Sequence, residues 1–478
     1  MSEQDDGQAA TLRHPTVDKR GNWIVYWKQQ GQPWRTEPEI DAERQKYLAE
    51  CRSILPDIGQ HIYPFKDIKL DRADVEWQLA KHHQLPKEDD WWMYKRWQPR
   101  PHLNLQGADL RRVDLSGLPL ESADFREARL EGAIIAEANL NLAVFCDAHL
   151  ERATFREASL QGANFSGAHL ERTSLECANL DGAMLGLAYL EEAYLYNSSL
   201  NRANLVKANL KQANLDGAHL EAAYLYDVHL EGASLSNAHL ERANLGGAHL
   251  GGCNLRGAFF SSATNLDNAT LTDTRHGCAL LNKVRWGEVD ISGIDWNQAN
   301  VLGDEQEAHK VVAKDGKTKV SATRIAEYQI AMRTNRQLSI VLREQGLNEE
   351  AARFAYRGQL MQRKTFWHQH KSGRYLFSLF LDLLAGYGYK FKRSFIAYLI
   401  VIAIFAIAYF IIGQTSGPVL SPVGSVVFSM TSFHGRGFFP GGIGLDDPLT
   451  VVAAFEAFIG LLIEVTFIAT LTQRLFGK

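Results

Sequence analysis

The sequence predicts a multidomain chain: a square-coiled β-solenoid, then an α-helical hairpin, then a two-helix transmembrane segment with a re-entrant loop. Three observations carry this. A Leu or Phe recurs at nearly every fifth residue from Leu103 to Phe260. A helical pattern starting at Ser321 breaks at Gly346 and resumes at Asn348. Two long apolar runs near the carboxyl end frame a shorter one. At 478 residues and 22% charged, the chain has room for two to four folded units and is not of disordered composition.

Residues 1–100 are expected to form a small α+β domain and the cap of the solenoid. Gly21 to Trp27 reads as a strand, Ile40 to Ile54 and Asp74 to His82 as helices, and Trp91, Trp92, Tyr94 and Trp97 as the capping cluster. The front of the chain has acids where an export signal needs bases. No export is expected from it.

Residues 101–300 hold the repeat and its carboxy-terminal cap. The large residue falls at positions such as Leu105, Leu110, Phe125, Leu130, Phe155 and Phe165, with a small residue two places before it. That period fits neither a 3.6-residue helix nor a two-residue strand alternation. If each unit is one side of a square, the large and the small residue face the axis and about twenty residues complete one coil. Coils then stack at about 4.8 Å by backbone hydrogen bonds. The A(D/N)LXX pattern, as in Asn201-Arg202-Ala203-Asn204-Leu205, resembles the pentapeptide-repeat family. The resemblance implies a right-handed quadrilateral β-helix. The register slips at Ser262 to Leu266, and the stretch through Val284, Trp286, Ile291 and Trp296 reads as last coils plus cap.

The twenty-residue coil places His149, His169, His229 and His249 on one face, with Glu151, Glu171 and Glu231 across the inward Leu. Imidazole and carboxylate at such spacing can ligate a divalent metal. A solvated ladder is the expected state, because Arg152 and Arg172 adjoin the acids, so neither metal nor cofactor is expected. Asn164, Asn204 and Asn244 read as an amide ladder. Some members of the pentapeptide-repeat family resemble duplex DNA, but here arginines interleave with the acids and dilute a phosphate-like field. With a net charge of −4 there is no basic stripe for phosphates either, so no nucleic acid is expected as partner. The five cysteines are far apart and read as small core fillers in a reducing compartment.

Residues 301–372 read as a cytosolic helical hairpin, and Leu342 to Tyr356 resembles a tetratricopeptide-type turn. Residues 373–478 read as the membrane domain. Tyr375 to Leu384 suits an interfacial helix, and Gly386-Tyr387-Gly388 a turn. The first span is 394–412, the re-entrant loop 422–440 and the second span 450–471, the spans being of length to cross a hydrocarbon core. Lys390, Lys392 and Arg393 before the first span and Arg474 and Lys478 after the second predict a multi-pass inner-membrane protein with both termini cytoplasmic.

The loop PVGSVVFSMTSFHGRGFFP resembles the pore helix and filter of two-transmembrane potassium-channel-like proteins. The resemblance makes Thr431, Ser432, Phe433, His434, Gly435, Arg436, Gly437 and Phe438 the pore and filter candidates, and Glu456, Gly460 and Glu464 the inner-helix candidates. Arg436 between the glycines and Phe438 after them depart from a potassium filter. A ring of Arg436 or His434 would repel cations. Glu456 and Glu464 either line the axial path, bond the pore helix or join helices within an oligomer. The whole resembles bacterial pentapeptide-repeat membrane proteins with a carboxy-terminal ion-channel-like domain. That implies a homotetramer in the lipid bilayer, whose solenoid gates or anchors a non-potassium-type pore. The alternative is a membrane-tethered scaffold whose solenoid binds a protein partner. No enzyme is expected, since no Ser-His-Asp, phosphate-loop, dinucleotide or zinc-hydrolase pattern appears and the rod reads as convex.

Overall fold

A computed structural model describes residues 20–60, 62–83, 103–313, 315–415, 420–435 and 448–476. The chain divides into two compact units, Met1–Gly303 and Asp304–Lys478.

In the first unit, α1 (Arg20–Gln29), α2 (Ala42–Arg52) and α3 (Arg72–His83) precede the solenoid. The segment Gly21 to Trp27 is therefore helix and not the strand its alternation suggested. Trp23 and Trp27 are four residues apart, which also satisfies a helix, and both are buried while Val25 is exposed. The tryptophan cluster at residues 91–97 lies outside the described residues. Among the described residues, 63–77 cover the first coil. Phe65 and Leu70, both fully buried, continue the five-residue comb, and Lys69 bridges Asp109 in parallel. Arg72 donates to the Asp114 and Ser116 carbonyls at 3.1 Å each. Its Nε also bonds Glu76, whose buried carboxylate accepts the Thr36 and Glu37 amides.

The solenoid follows from the pattern. Parallel bridges join every fifth residue to the one twenty further on, from Asn104↔Asp124 to His239↔Phe259. Leu150 N donates to His169 O at 2.8 Å and His149 N to Ala128 O at 2.9 Å, so each coil bonds the coils on either side. Inward Leu, Phe and Ala are shut off from solvent, and Phe125, Phe145 and Phe165 stack with centroids 4.8 and 4.7 Å apart. Each corner has a left-handed residue, for example Gly107 (φ +67°) and Arg112 (φ +60°), closed by a turn bond such as Ala108 N to Leu105 O at 3.2 Å. These are type II turns, which require positive φ at their third residue. The bridge offset grows to twenty-one at Asn244↔Asn265 and twenty-six at Asn254↔Leu280. The register slip accounts for the first step, and a hairpin of β1 (Thr272–Asp273) and β2 (Gly277–Cys278) bulges out at the second.

Two expectations about the outer face are corrected. Asn164, Asn204 and Asn244 are separated in their stack by Met184 and Tyr224. Each accepts the amide two residues ahead, as Ser166 N to Asn164 Oδ1 at 3.0 Å, which tightens its own corner as an Asx turn does; Asn244 in addition takes a ladder bond from Asn265 Nδ2 in the next coil at 3.1 Å. Among the cysteines, Cys51, Cys253 and Cys278 are buried, whereas Cys177 is an exposed corner residue.

In the second unit, α4 (Gly303–His309) leads to the hairpin of α5 (Ser321–Glu344) and α6 (Asn348–His368), turned at Gly346 with φ +80°. Ala308, Tyr328, Ala331 and Met361 form its core. Arg357 grips Glu305 through two bonds of 2.7 and 2.9 Å. Burial pushes the Glu305 carboxyl up, but bonds from His309 and Arg357 outweigh it and hold the group below its ordinary range. Then come α7 (Ser372–Ala385), the Gly386–Gly388 turn, α8 (Phe391–Thr415), the short α9 (Pro422–Phe433) and α10 (Pro448–Phe476). Two stretches, Lys392–Gln414 and Pro448–Ile468, are long and apolar enough to cross a membrane.

Candidate functional site

Helix α9 begins with Ser421, whose hydroxyl accepts the Gly424 amide at 3.0 Å, and with Pro422, which needs no amide donor in a first turn. It is twelve residues long, so at 1.5 Å per residue it extends about 18 Å, too little to cross a bilayer. It packs against both α8 and α10. Leu384, Ile402, Phe433 and Ile463 form one cluster, and Tyr409, Phe428, Leu449 and Ala453 the other.

Glu456 sits where the three helices meet and is wholly buried. Tyr409 of α8 donates to its Oε2 at 2.6 Å, and Ser429 of α9 bonds its Oε1. The Ser429 hydroxyl also lies 3.0 Å from the Ile402 carbonyl. A buried carboxylate survives only when hydrogen-bonded. Glu456, on α10, thus joins the short helix and α8 to its own helix within a single chain. Eight residues on, Glu464 meets His434 Nδ1, and His434 Nε2 lies 3.3 Å from the Tyr398 hydroxyl. Gly460 is where the end of α9 rests on α10: a Cβ there would lie 2.1 Å from the Phe433 carbonyl oxygen.

The remaining filter candidates divide. Thr431 bonds carbonyls of its own helix, Phe428 O at 2.9 Å and Val427 O at 3.1 Å. Ser432 and Phe433 are buried, His434 and Gly435 exposed. Arg436, Gly437 and Phe438 lie outside the described residues. Val423, Val427 and Met430 on α9, Ile400, Ile404 and Ile407 on α8, and Phe455, Phe458 and Val465 on α10 are exposed large apolar side chains. Large exposed apolar side chains in such number are what lipid or another chain could cover.

A second polar centre links α6, α7 and α8. Asp382 receives Tyr356 OH at 2.8 Å, Arg363 at 2.7 Å and Arg393 at 3.1 Å. Burial would raise its carboxyl, but the bonds from Arg363 and Tyr356 and the charges of Arg363 and Arg393 hold it below the ordinary carboxylate range. Lys390 lies 4.2 Å from the Tyr356 ring centroid. Nothing in the spacing of these residues marked them, since the pairings depend on how three helices turn. Replacing Asp382 by Ala leaves Arg363 and Arg393 facing each other and is expected to cost about 2–3 kcal/mol. Because the pKa is lowered, the contribution of the charge is full above about pH 4 and is lost as pH falls through the lowered value. The difference in melting between wild type and Asp382→Asn should therefore be constant from pH 5 to 8 and shrink only in stronger acid.

The His–Glu comb exists as geometry. His149 Nδ1 is 3.4 Å from Glu151 Oε1, His169 Nδ1 3.3 Å from Glu171 Oε1 and His229 Nδ1 3.3 Å from Glu231 Oε1. His229 and His249 stack at 4.7 Å with planes 5° apart. Rings stacked in parallel direct their lone pairs in parallel, so two of them converge on one ion only after turning. A second comb, His219, Glu221, His239 and Glu241, went unmarked in the sequence reading. The same twenty-residue count started ten residues later finds it. The rod is also not featureless: a shallow groove of about 740 Å³ runs between Arg112, Arg152, Arg172 and the glutamate row.

Comparison with known proteins bears on the solenoid. The model of the pentapeptide repeat region matches residues 108–185, and that of pentapeptide repeats (8 copies) matches 185–221, 223–261 and 233–275. These matches imply right-handed winding. No curated protein matches the chain. Similar solved structures include HetL, a pentapeptide repeat protein involved in heterocyst differentiation regulation from the cyanobacterium Nostoc sp. strain PCC 7120. It is 26% identical over 52% of this chain and 100% of its own, with a TM-score of 0.25. QnrB1, a plasmid-mediated fluoroquinolone resistance protein, is 22% identical over 42% and 95%, with a TM-score of 0.31. Rfr23 from the cyanobacterium Cyanothece 51142 is 34% identical over 23% and 63%, with a TM-score of 0.13.

Proposed function

We propose that this chain, whose residues 108–275 are pentapeptide repeats, is an oligomeric channel-like membrane protein with a pore of non-potassium type. Helices α8 and α10 cross the inner membrane, α9 dips in and returns, and both termini face the cytoplasm. One observation carries the reading: a half-length apolar helix is held between two spanning-length helices, its end resting on Gly460. Gly460 is twelve residues into α10, about 18 Å along it, so α9 reaches only partway. Four copies would bring four such helix ends around an axis, with Arg436 and His434 supplying positive or neutral donors there.

The hairpin and Asp382 centre would transmit strain from the cytosolic part to α8. A scaffold reading is favoured by a different observation. Glu456 and Glu464 are both engaged inside one chain, leaving neither free to hold a permeating cation. Full-length protein in liposomes decides between them under voltage and membrane stretch. The channel reading expects current without potassium preference in the wild type and a gain in cation permeability in Arg436→Ala. Silence of both variants would favour the scaffold.

A further inference from the structure

A cleft of about 860 Å³ opens between α6, α7, the Gly386–Gly388 turn and the far end of α10. Its polar lining includes Gln359, Gln362 and Arg374 together with hydroxyls of Ser378, Tyr387 and Thr466, and its apolar lining includes Phe366, Phe377 and Leu381. Among the described residues, no carboxylate lines it. Arg374 is exposed and, among the described residues, pairs with no acid, unlike Arg363 and Arg393, which Asp382 neutralises. Beside the cleft, α7 presents Leu376, Phe377, Phe380 and Leu383 to the outside, all exposed. Positions 376, 380 and 383 share one helix face. A free guanidinium with amides above an apolar wall next to an apolar stripe matches one kind of molecule, an anion carrying hydrocarbon chains.

We infer that this cleft binds an anionic phospholipid, its phosphate at Arg374 and its chains along Phe377, Leu381 and the α7 stripe. The inference rests on the membrane reading above. With α8 and α10 in the bilayer, α7 lies at the cytoplasmic surface, where anionic lipid is attracted by basic residues at about 1 kcal/mol each, roughly a fivefold preference per charge. Bound there, the lipid would brace α7 against α6 beside the Asp382 centre.

The test uses full-length protein in a neutral maltoside detergent, titrated with dioleoyl phosphatidylglycerol or dioleoyl phosphatidylcholine, with retained lipid counted by native mass spectrometry. The wild type should retain phosphatidylglycerol about fivefold over phosphatidylcholine. Arg374→Gln should bring that ratio to about one without changing the lipid-free melting temperature. Leu381→Trp, which fills the cleft and keeps the charge, should lower phosphatidylglycerol retention as well, and it serves if the charge variant does not fold. Equal retention of the two lipids by the wild type overturns the proposal, as does a ratio unmoved by both variants. Complete displacement of phosphatidylglycerol by soluble glycerol 3-phosphate assigns the site to a free phosphate and also overturns it. A chain released from membranes by alkaline carbonate without detergent sinks the membrane reading itself. A chain that stays in the bilayer yet shows no lipid preference sinks only the cleft.

Discussion

Leu200→Asp should unfold the middle of the solenoid, with a loss above about 4 kcal/mol. Leu200 is completely shut off from solvent, and its amide bonds the His219 carbonyl at 2.7 Å. A carboxylate there must either stay charged in an apolar core or take up a proton, and either way the burial of the leucine, worth about 2 kcal/mol, is lost. Each coil rests only on its neighbours, so the damage should spread to the coils on both sides and not to the ends of the rod. Limited proteolysis with intact-mass readout should find new cuts between residues 180 and 220. The same change at Leu187 is the control. Leu187 is a left-handed corner residue with φ +59° and is 63% exposed, and Asp tolerates that conformation better than Leu does. Leu187→Asp should alter stability by no more than about 0.5 kcal/mol. Equal sensitivity at the two leucines would contradict the inward and outward assignment.

Gly460→Leu is expected to separate α9 from α10. The added Cβ would lie 2.1 Å from a backbone oxygen, Phe433 O, and 2.9 Å from the Phe433 carbonyl carbon. A backbone obstacle has no rotamer to turn aside, so the whole helix end must move. Overpacking of this kind costs about 3 kcal/mol or more. The shift also breaks the Phe433 and Ile463 cluster and loosens the link between Ser429 and Glu456. Ala454→Leu on the same helix is the comparison, since Ala454 is exposed and a leucine there only adds apolar surface. Thermal melting in detergent should fall well below wild type for Gly460→Leu and stay near it for Ala454→Leu. Equal melting of the two variants would remove the close approach of α9 to Gly460, and with it the main support for a re-entrant helix.

Much of the molecule was legible because its interactions are periodic or local. The five-residue comb states which side chains face inward, and a corner turn closes within four residues, so sequence neighbours suffice. The helices α5, α6, α8 and α10 follow from long runs whose length and composition leave no alternative. The errors fell where two periods coincide. Trp23 and Trp27 serve a strand and a helix equally, and Phe65 and Leu70 are too short a run to be seen as solenoid ahead of the main repeat.

The candidate site divides along the same line. That Glu456 in an apolar run is costly to bury follows from the sequence alone, as do the coil of the rod and two helices long and apolar enough to cross a membrane. Which partners it takes was decided only in three dimensions. Tyr409 and Ser429 lie 47 and 27 residues away, and they reach the carboxylate through the rotation and crossing of three helices. Each residue turns a helix by about 100°, so a small change of rotation or crossing would present other side chains, and no spacing along the chain encodes that choice. The packing of whole helices fixes it, as it fixes Gly460 beneath the Phe433 carbonyl and Asp382 between two arginines.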